Sequence, residues 1–280
     1  MEITIPLFSG VLIKIAVDST HEKKYPTARL QKGFLLVHEG QELAEEGVGF
    51  GVPILKRGIQ TIFPGSLELI SIQKDSIRNV TGVTVKFRMN LEEKIIKPGF
   101  ESVKNKLLYV TKNLLASLIR RSPPLRGMLT SISNALRAVF GWETTFEEAG
   151  FCVDVKMIYT VDSQAGTIDV EVDTANLITY DITEVVVMNE QGARYFNQYR
   201  DSGGTFLRGK EIDCWDKVNP EWASFVSETH GLAFTLRQVK GATIYRGREL
   251  IGSRLAWSGF GYSFSPAIQR FGYQVRIEKL

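Results

Sequence analysis

Hydrophobic and polar residues alternate along much of the first ninety residues of the chain. The run from Val83 to Met89 keeps this period of two without a break. Such alternation is typical of a β-strand with one buried and one solvated face. Short apolar runs between polar or glycine-containing turns predict further strands. Together, these predicted strands cover residues 3–7, 11–17, 34–38, 48–55, 60–63, 67–72 and 80–91.

The pattern changes between residues 103 and 140, where apolar residues recur every three or four positions. Leu107, Leu114 and Leu118 share one helical face in the first part of this stretch. Pro123 and Pro124 interrupt it, because proline cannot continue a helix. A second run of apolar residues at helical spacing follows, up to Val139. The spacing therefore predicts an α-helical hairpin inserted at about 103–140.

Strand-like patterns return after residue 150 and continue to the end of the chain. The predicted strands cover 152–160, 167–172, 183–188, 232–236, 243–245, 255–263 and 273–277, with a further short strand around Phe225. The polar, glycine-bearing stretch 189–220 is interpreted as a long loop with short elements. Many strands without βαβ alternation favour a large antiparallel β-sandwich or supersandwich. We expect one β domain that spans residues 1–280.

Composition excludes several classes of protein. The apolar fraction of 44% and the charged fraction of 23% are ordinary for a globular chain. A net charge of +3 is too small to indicate a nucleic-acid partner. The first residues lack the pattern of a signal peptide, and no apolar run is long enough for a membrane span. The sequence therefore predicts a cytoplasmic protein.

The common cofactor and metal motifs are absent from the sequence. The run Gly47-Val48-Gly49-Phe50-Gly51 lies within a strand pattern, which favours a bulge or close sheet packing over a phosphate-binding loop. The three histidines are not spaced as metal ligands, and Cys152 and Cys214 are expected to be isolated buried thiols. We predict neither a cofactor nor a bound metal.

His230 is the strongest candidate for chemistry, because it lies just before an apolar strand. A histidine at a strand end can exchange protons near neutral pH. Glu228 and Asp201 are candidate carboxylate partners for it, chosen by residue type. The alternative is a turn histidine that is hydrogen-bonded to the backbone, and the sequence leaves open whether the protein is an enzyme at all.

The stretch from Tyr195 to Asp201 is the richest in groups that recognise polar ligands. Aromatic rings stack on sugars, and asparagine and arginine side chains hydrogen-bond to hydroxyl groups. The candidate ligand-binding residues are Tyr195, Asn197, Arg200, Arg237 and Trp257. These aromatic residues can instead close the ends of a sandwich. Likewise, Phe260, Tyr262 and Phe264 at period two form either a core stripe or the floor of a concave ligand surface.

The segment 183–199 resembles the aldose 1-epimerase (galactose mutarotase) family through Tyr195-Phe196-Asn197. In that family an Asn-His dipeptide and one further residue precede Tyr-Phe-Asn. The resemblance implies a β-supersandwich fold and carbohydrate binding. Gly192 and Ala193 occupy the Asn-His positions here, so the family's acid histidine is absent, and the resemblance argues against mutarotation itself.

The predicted hairpin is basic. Residues 101–142 contain seven lysines and arginines and one acid, a local net charge of +6, whereas the whole chain carries +3 and the remainder is therefore net −3. A basic amphipathic hairpin can contact an anionic membrane surface or an acidic protein. It can also be a lid packed on the sheets.

Three hypotheses follow from these patterns. The leading one is a carbohydrate-binding or carbohydrate-active protein, with epimerisation or lyase-type proton transfer at His230 and an arginine orienting an anionic sugar. The second is a non-catalytic binding or assembly module, which includes a homo-oligomer. The third is peripheral membrane binding through the hairpin at 103–140.

Overall fold

The computed structural model describes residues 1–17, 30–44, 47–96, 143–212, 215–251 and 255–280. Eighteen β-strands form there, and every strand pair is antiparallel. The prediction of a mainly β antiparallel chain is therefore confirmed. The helical hairpin predicted at 103–140 lies outside the described residues, as does Cys214.

The first four strands form a small sheet in the order β1-β2-β3-β4. They are β1 Glu2–Phe8, β2 Val11–Ala16, β3 Leu35–His38 and β4 Gln41–Glu42. Alternate residues of β1 and β2 are buried, as the period of two predicts.

The other fourteen strands form one large sheet. They are β5 Gly49–Arg57, β6 Gln60–Lys74, β7 Val80–Ile96, β8 Glu143–Asp162, β9 Thr167–Asp173, β10 Glu184–Gly192, β11 Gln198–Asp201, β12 Phe206–Arg208, β13 Asp216–Val218, β14 Trp222–Ser227, β15 Leu232–Arg237, β16 Ala242–Ile251, β17 Leu255–Phe264 and β18 Arg270–Lys279. Their spatial order is β12-β11-β14-β15-β18-β9-β8-β7-β6-β5-β10-β17-β16-β13. Two short 3₁₀ helices, Ala175–Thr179 and Gly209–Ile212, lie between strands.

Aromatic side chains connect the two halves of this sheet, because rings on β14 and β15 pack against rings on β5 and β17. Phe234 on β15 packs edge-on against Phe50 on β5, with ring centroids 5.3 Å apart, and against Phe260 on β17 at 5.9 Å. Phe225 on β14 also contacts Phe260, at 4.8 Å. Strands that are distant in the order of the sheet therefore share one core. Phe260, Tyr262 and Phe264 are buried, so the core interpretation of this stripe is correct.

An arginine links the two ends of the sheet order. The guanidinium of Arg246 on β16 lies 4.4 Å from the ring centroid of Tyr199 on β11. The same guanidinium is 3.5 Å from the carboxylate of Asp216 on β13. Because β11 and β13 lie near opposite ends of the order, these contacts bring the terminal strands together.

Two expectations from the sequence are wrong. Strand β10 does not end at Met188 but continues through buried Asn189, Glu190 and Gln191, because these polar side chains find hydrogen-bond partners inside the protein. Cys152 is exposed rather than buried, because it lies on the solvated face of β8, where it accepts a hydrogen bond from Arg88. No helix in the described ranges is long and apolar enough to cross a membrane.

We expect replacement of Phe234 by alanine to destabilise the protein by about 3–5 kcal/mol, the usual cost of removing a fully buried aromatic ring. Chemical denaturation gives this difference in the free energy of unfolding. Ile70→Ala is the control, since Ile70 is 49% exposed and should change stability by no more than about 0.5 kcal/mol. Equal effects of the two substitutions would contradict a core shared between the two halves.

Candidate functional site

Three consecutive buried polar residues at the end of β10 determine how the neighbouring chain is placed. Asn189, Glu190 and Gln191 are 0%, 6% and 0% exposed. Each accepts a hydrogen bond from a backbone N–H of the segment that includes β3 and the start of β5. The donor–acceptor pairs are Gly51 N–H to Asn189 Oδ1 at 3.1 Å, Val48 N–H to Glu190 Oε2 at 3.3 Å and Leu36 N–H to Gln191 Oε1 at 3.1 Å. We name these three residues the polar triplet.

The glycine-rich run opposite the triplet allows this close approach. Gly49 and Gly51 have φ angles of +87° and +76°, which favour glycine. A Cβ atom on Gly51 would lie 2.4 Å from the ring of Tyr159, so a side chain has no room there. The prediction of a bulge or close packing at these glycines is confirmed.

A cluster of aromatic and polar side chains forms beside the triplet. His230, in the turn between β14 and β15, lies 5.1 Å from the ring centroid of Tyr195 and 5.7 Å from that of His38. The Gln41 amide donates to the Tyr195 hydroxyl at 3.0 Å, and Ser227 Oγ lies 3.0 Å from His230 Nδ1. We name these five residues the histidine–tyrosine cluster.

Sequence-distant elements supply the cluster. Tyr195 lies in a tight turn that follows β10, where its N–H and that of Phe196 both donate to the Gly192 carbonyl. His38 ends β3 and Gln41 begins β4, and β3 is held by the triplet through Leu36. The end of β10 therefore positions two parts of the cluster: Tyr195 through the turn at Gly192, and His38 with Gln41 through the hydrogen bond of Leu36.

The cluster favours a neutral imidazole at pH 7. Burial lowers the pKa of His230, and the nearby His38 lowers it further, while Glu39 partly opposes this shift. A neutral imidazole can accept a proton or a hydroxyl hydrogen bond. His230, Tyr195 and His38 are half-buried, so part of each ring reaches the surface.

The carboxylates predicted as partners of His230 make other contacts. Glu228 is paired with Arg208 at 3.1 Å. Asp201 accepts a hydrogen bond from the Tyr199 hydroxyl at 2.7 Å. Burial tends to raise the pKa of Asp201, but the hydrogen bonds from Tyr199, Thr205 and Gly203 outweigh this effect and hold the pKa below its ordinary value. Neither carboxylate hydrogen-bonds to His230 within the part of the chain that the structure describes.

The predicted ligand-binding residues are dispersed. Tyr195 lies in the cluster, and Asn197, two residues further along, is exposed. Arg200 is on β11, on the face opposite Tyr199, and exposed Arg237 ends β15, the strand that His230 precedes. Trp257 stacks on Trp215 at 4.8 Å, with the rings 20° from parallel, and both rings cover Gly247.

Sequence reasoning missed His38, Gln41, Arg248 and above all Glu190. Burial raises the pKa of Glu190 to about 7, and the charge of Glu249 adds to this rise. The hydrogen bond from Val48 N–H and the positive charge of Lys32 lower the pKa and so oppose the rise. The available signal was Asn189-Glu190-Gln191 directly after Val185-Val186-Val187-Met188, since a polar run that continues a buried strand must be satisfied internally.

Comparisons with known proteins give only distant likeness. No protein-family profile matches the sequence, and no curated protein matches it. Among solved structures, an α-N-acetylgalactosaminidase from Bifidobacterium bifidum is 10% identical, with a TM-score of 0.45; the alignment covers 100% of this chain and 36% of the other. A proposed mutarotase from Salmonella typhimurium is 8% identical, with a TM-score of 0.41, and 100% of this chain and 90% of the other are covered.

An α-mannosidase from Enterococcus faecalis is 7% identical, with a TM-score of 0.39, and the alignment covers 96% of this chain and 28% of the other. The weak resemblance to a mutarotase-like structure is thus confirmed as a likeness. Because all three TM-scores are below 0.5, this likeness assigns neither a fold family nor an activity. The chain spans only about a third of the galactosaminidase's length.

We expect the stability of the protein to fall as the pH rises from about 4.5 to about 8, because folded Glu190 has a pKa of about 7 and an unfolded glutamate has one of 4.5. Between these values the folded state binds the extra proton, so each rise in pH favours unfolding. Glu190→Gln should remove a pH-dependent difference on the order of 3 kcal/mol. Denaturant melts over this pH range give the measurement.

The matched control is Glu221→Gln, which neutralises an exposed carboxylate. It should leave the pH dependence as in the unmodified protein. A Glu190→Gln protein that retains the full pH dependence would contradict the assignment of this proton to Glu190.

Proposed function

We propose that the protein binds a carbohydrate at the histidine–tyrosine cluster. The observation that carries this proposal is the edge-to-face packing of three half-exposed rings, in which His230 contacts both His38 and Tyr195. Aromatic rings give sugars an apolar face to stack on, and the nearby hydroxyl and imidazole groups supply hydrogen bonds to sugar hydroxyls.

The polar groups of the cluster support a ligand with both donors and acceptors. The Tyr195 hydroxyl accepts from Gln41 and so has its own hydrogen left to donate. Ser227 occupies Nδ1 of His230, whereas the other ring nitrogen makes no hydrogen bond within the described part of the chain. A polyhydroxylated ring matches this mixture better than an apolar ligand does.

We further propose His230 as the group that exchanges a proton with the bound sugar, in an epimerisation or β-elimination. Its lowered pKa favours the neutral form that can accept a proton at pH 7. Glu228 and Asp201 remain the carboxylates proposed as its partners. Since Arg208 and Tyr199 already hold them, the contacts support binding more directly than catalysis.

Several finer features also stay proposals. They are the supersandwich assignment, the single domain over 1–280, the cytoplasmic location and the homo-oligomer. The helical hairpin at 103–140 and its contact with an anionic membrane or acidic protein belong to the same group; their basis is the local net charge of +6 in residues 101–142.

We expect the protein to bind at least one neutral or acidic monosaccharide in isothermal titration calorimetry, and Tyr195→Ala to weaken that binding about tenfold. The loss of one stacking ring and its hydroxyl hydrogen bond is worth about 1–2 kcal/mol. His230→Ala should weaken it similarly.

Tyr180→Ala provides the control, because Tyr180 is an exposed tyrosine that lies outside the cluster: it follows the 3₁₀ helix Ala175–Thr179 and packs on Phe151. It should bind like the unmodified protein. Absence of binding to every sugar, or an unchanged affinity in a folded Tyr195→Ala protein, would refute carbohydrate recognition at this cluster.

A further inference from the structure

Arg248 is a half-buried cation that has no carboxylate partner among the residues that the structure describes. Its guanidinium donates a hydrogen bond to the backbone carbonyl of Ala193 at 3.1 Å. Its Nε–H is buried and has no acceptor within the described part of the chain. Burial also lowers the pKa of Arg248, which reflects the cost of removing its charge from water. A bound anion strongly stabilises a positive charge in such surroundings.

A second unsatisfied group lies next to this arginine. Ser258 pairs with Arg248 across β16 and β17, so their side chains point to the same face, and the next residue in this row is Gln191. Ser258 is 0% exposed, and its hydroxyl has no hydrogen-bond partner among the described residues. The Nε–H of Arg248 and the hydroxyl of Ser258 are therefore two neighbouring donors beside the triplet for which the described residues provide no acceptor.

Arg246, two residues away on the same strand face, serves as an internal comparison. The Asp216 carboxylate neutralises the Arg246 guanidinium, and the Tyr199 ring covers it. These contacts close the sheet and explain why Arg246 is placed there. The Nε–H of each arginine is buried without an acceptor among the described residues. The two arginines therefore differ in one respect: Arg246 has a carboxylate partner, whereas no carboxylate among those residues pairs with Arg248.

The place of Arg248 in the fold connects it with the histidine–tyrosine cluster. The carbonyl that it contacts belongs to Ala193, in the same turn as Tyr195. Two residues of extended chain span at most about 7 Å, so the guanidinium is close to the Tyr195 backbone. Arg237, by contrast, lies near Tyr262, whose hydroxyl donates to the Arg237 carbonyl at the opposite end of β17.

We propose that Arg248 binds the carboxylate of an acidic sugar whose ring contacts Tyr195 and His230, with the Ser258 hydroxyl as an additional donor. This inference rests on the proposed carbohydrate function and names its ligand class. A guanidinium matches a carboxylate with two parallel N–H···O bonds, and a single positive charge suits a single negative one. A neutral sugar leaves the buried Arg248 donor unsatisfied.

Paired titrations test the ligand class. Glucuronate and galacturonate are compared with glucose and galactose, using the full chain in isothermal titration calorimetry. Each acid should bind at least tenfold more tightly than its neutral counterpart, as expected for a charge-assisted hydrogen bond. Arg248→Gln should reduce the affinity for the acids to that for the neutral sugars.

Further variants keep the result interpretable. Arg248→Lys keeps the charge but loses the paired geometry, so it should retain only part of the preference for acids, and Ser258→Ala should weaken acid binding several-fold. Arg237→Ala is the matched control and should bind like the unmodified protein. Thermal melts show whether each variant is folded.

The outcomes separate the two proposals. Equal binding of acidic and neutral sugars, or an acid preference that persists in folded Arg248→Gln, overturns the carboxylate assignment while the carbohydrate function stands. Tighter binding of glucose 6-phosphate than of glucuronate also overturns the assignment, in favour of a phosphate. Binding of no sugar at all overturns both proposals.

Discussion

The hydrogen bonds of the polar triplet are the constraint on which the rest of this end of the molecule depends. Asn189, Glu190 and Gln191 point to alternating faces of β10, yet all three are buried and all accept from one irregular segment. Loss of one such acceptor leaves a buried N–H unsatisfied, at a cost of about 1–3 kcal/mol. Three bonds in a row therefore specify one placement of β3 and β5 against β10, which apolar packing alone would leave less strictly defined.

The same strand end also positions the candidate site. Directly after the triplet the chain turns at Gly192 and presents Tyr195, while the segment that the triplet holds presents His38 and Gln41. The cluster thus combines three pieces of chain, and two of them, which are more than 150 residues apart, are tied to β10. This origin explains why a site made from turn residues can have defined geometry, since each turn is attached to buried hydrogen bonds rather than to solvent-exposed ones.

The sequence predicts the strands well where one face is buried and the other wet, as in β1, β2 and β7, because alternation follows directly from burial on one side. It fails at β10, where a polar triplet looks like the start of a loop. A polar run indicates solvent exposure unless its side chains find hydrogen-bond partners inside the protein. The partners of these three residues lie some 140 residues earlier in the chain. The pairing of β10 with β5 and β17 is likewise long-range information that no local pattern contains. The sequence similarly identifies His230 and Tyr195 by residue type, but it cannot provide His38 as their neighbour.

The arginines show why residue type alone does not identify a binding site. Arg200 and Arg237 were plausible from sequence because they lie near aromatic residues along the chain, yet one is on the opposite face of β11 from Tyr199 and the other is at the far end of β15. Arg246 and Arg248 lie on β16 beyond the strand predicted at 243–245, and the structure distinguishes them by one carboxylate. A half-buried guanidinium without a counter-ion lowers stability, and natural proteins retain such destabilising features most often where a ligand uses them. Among the described residues Arg248 contacts the turn that carries Tyr195 and has no carboxylate partner, whereas Arg246 is paired and closes the sheet. Two arginines on one strand face therefore have different roles, recognition for Arg248 and structure for Arg246.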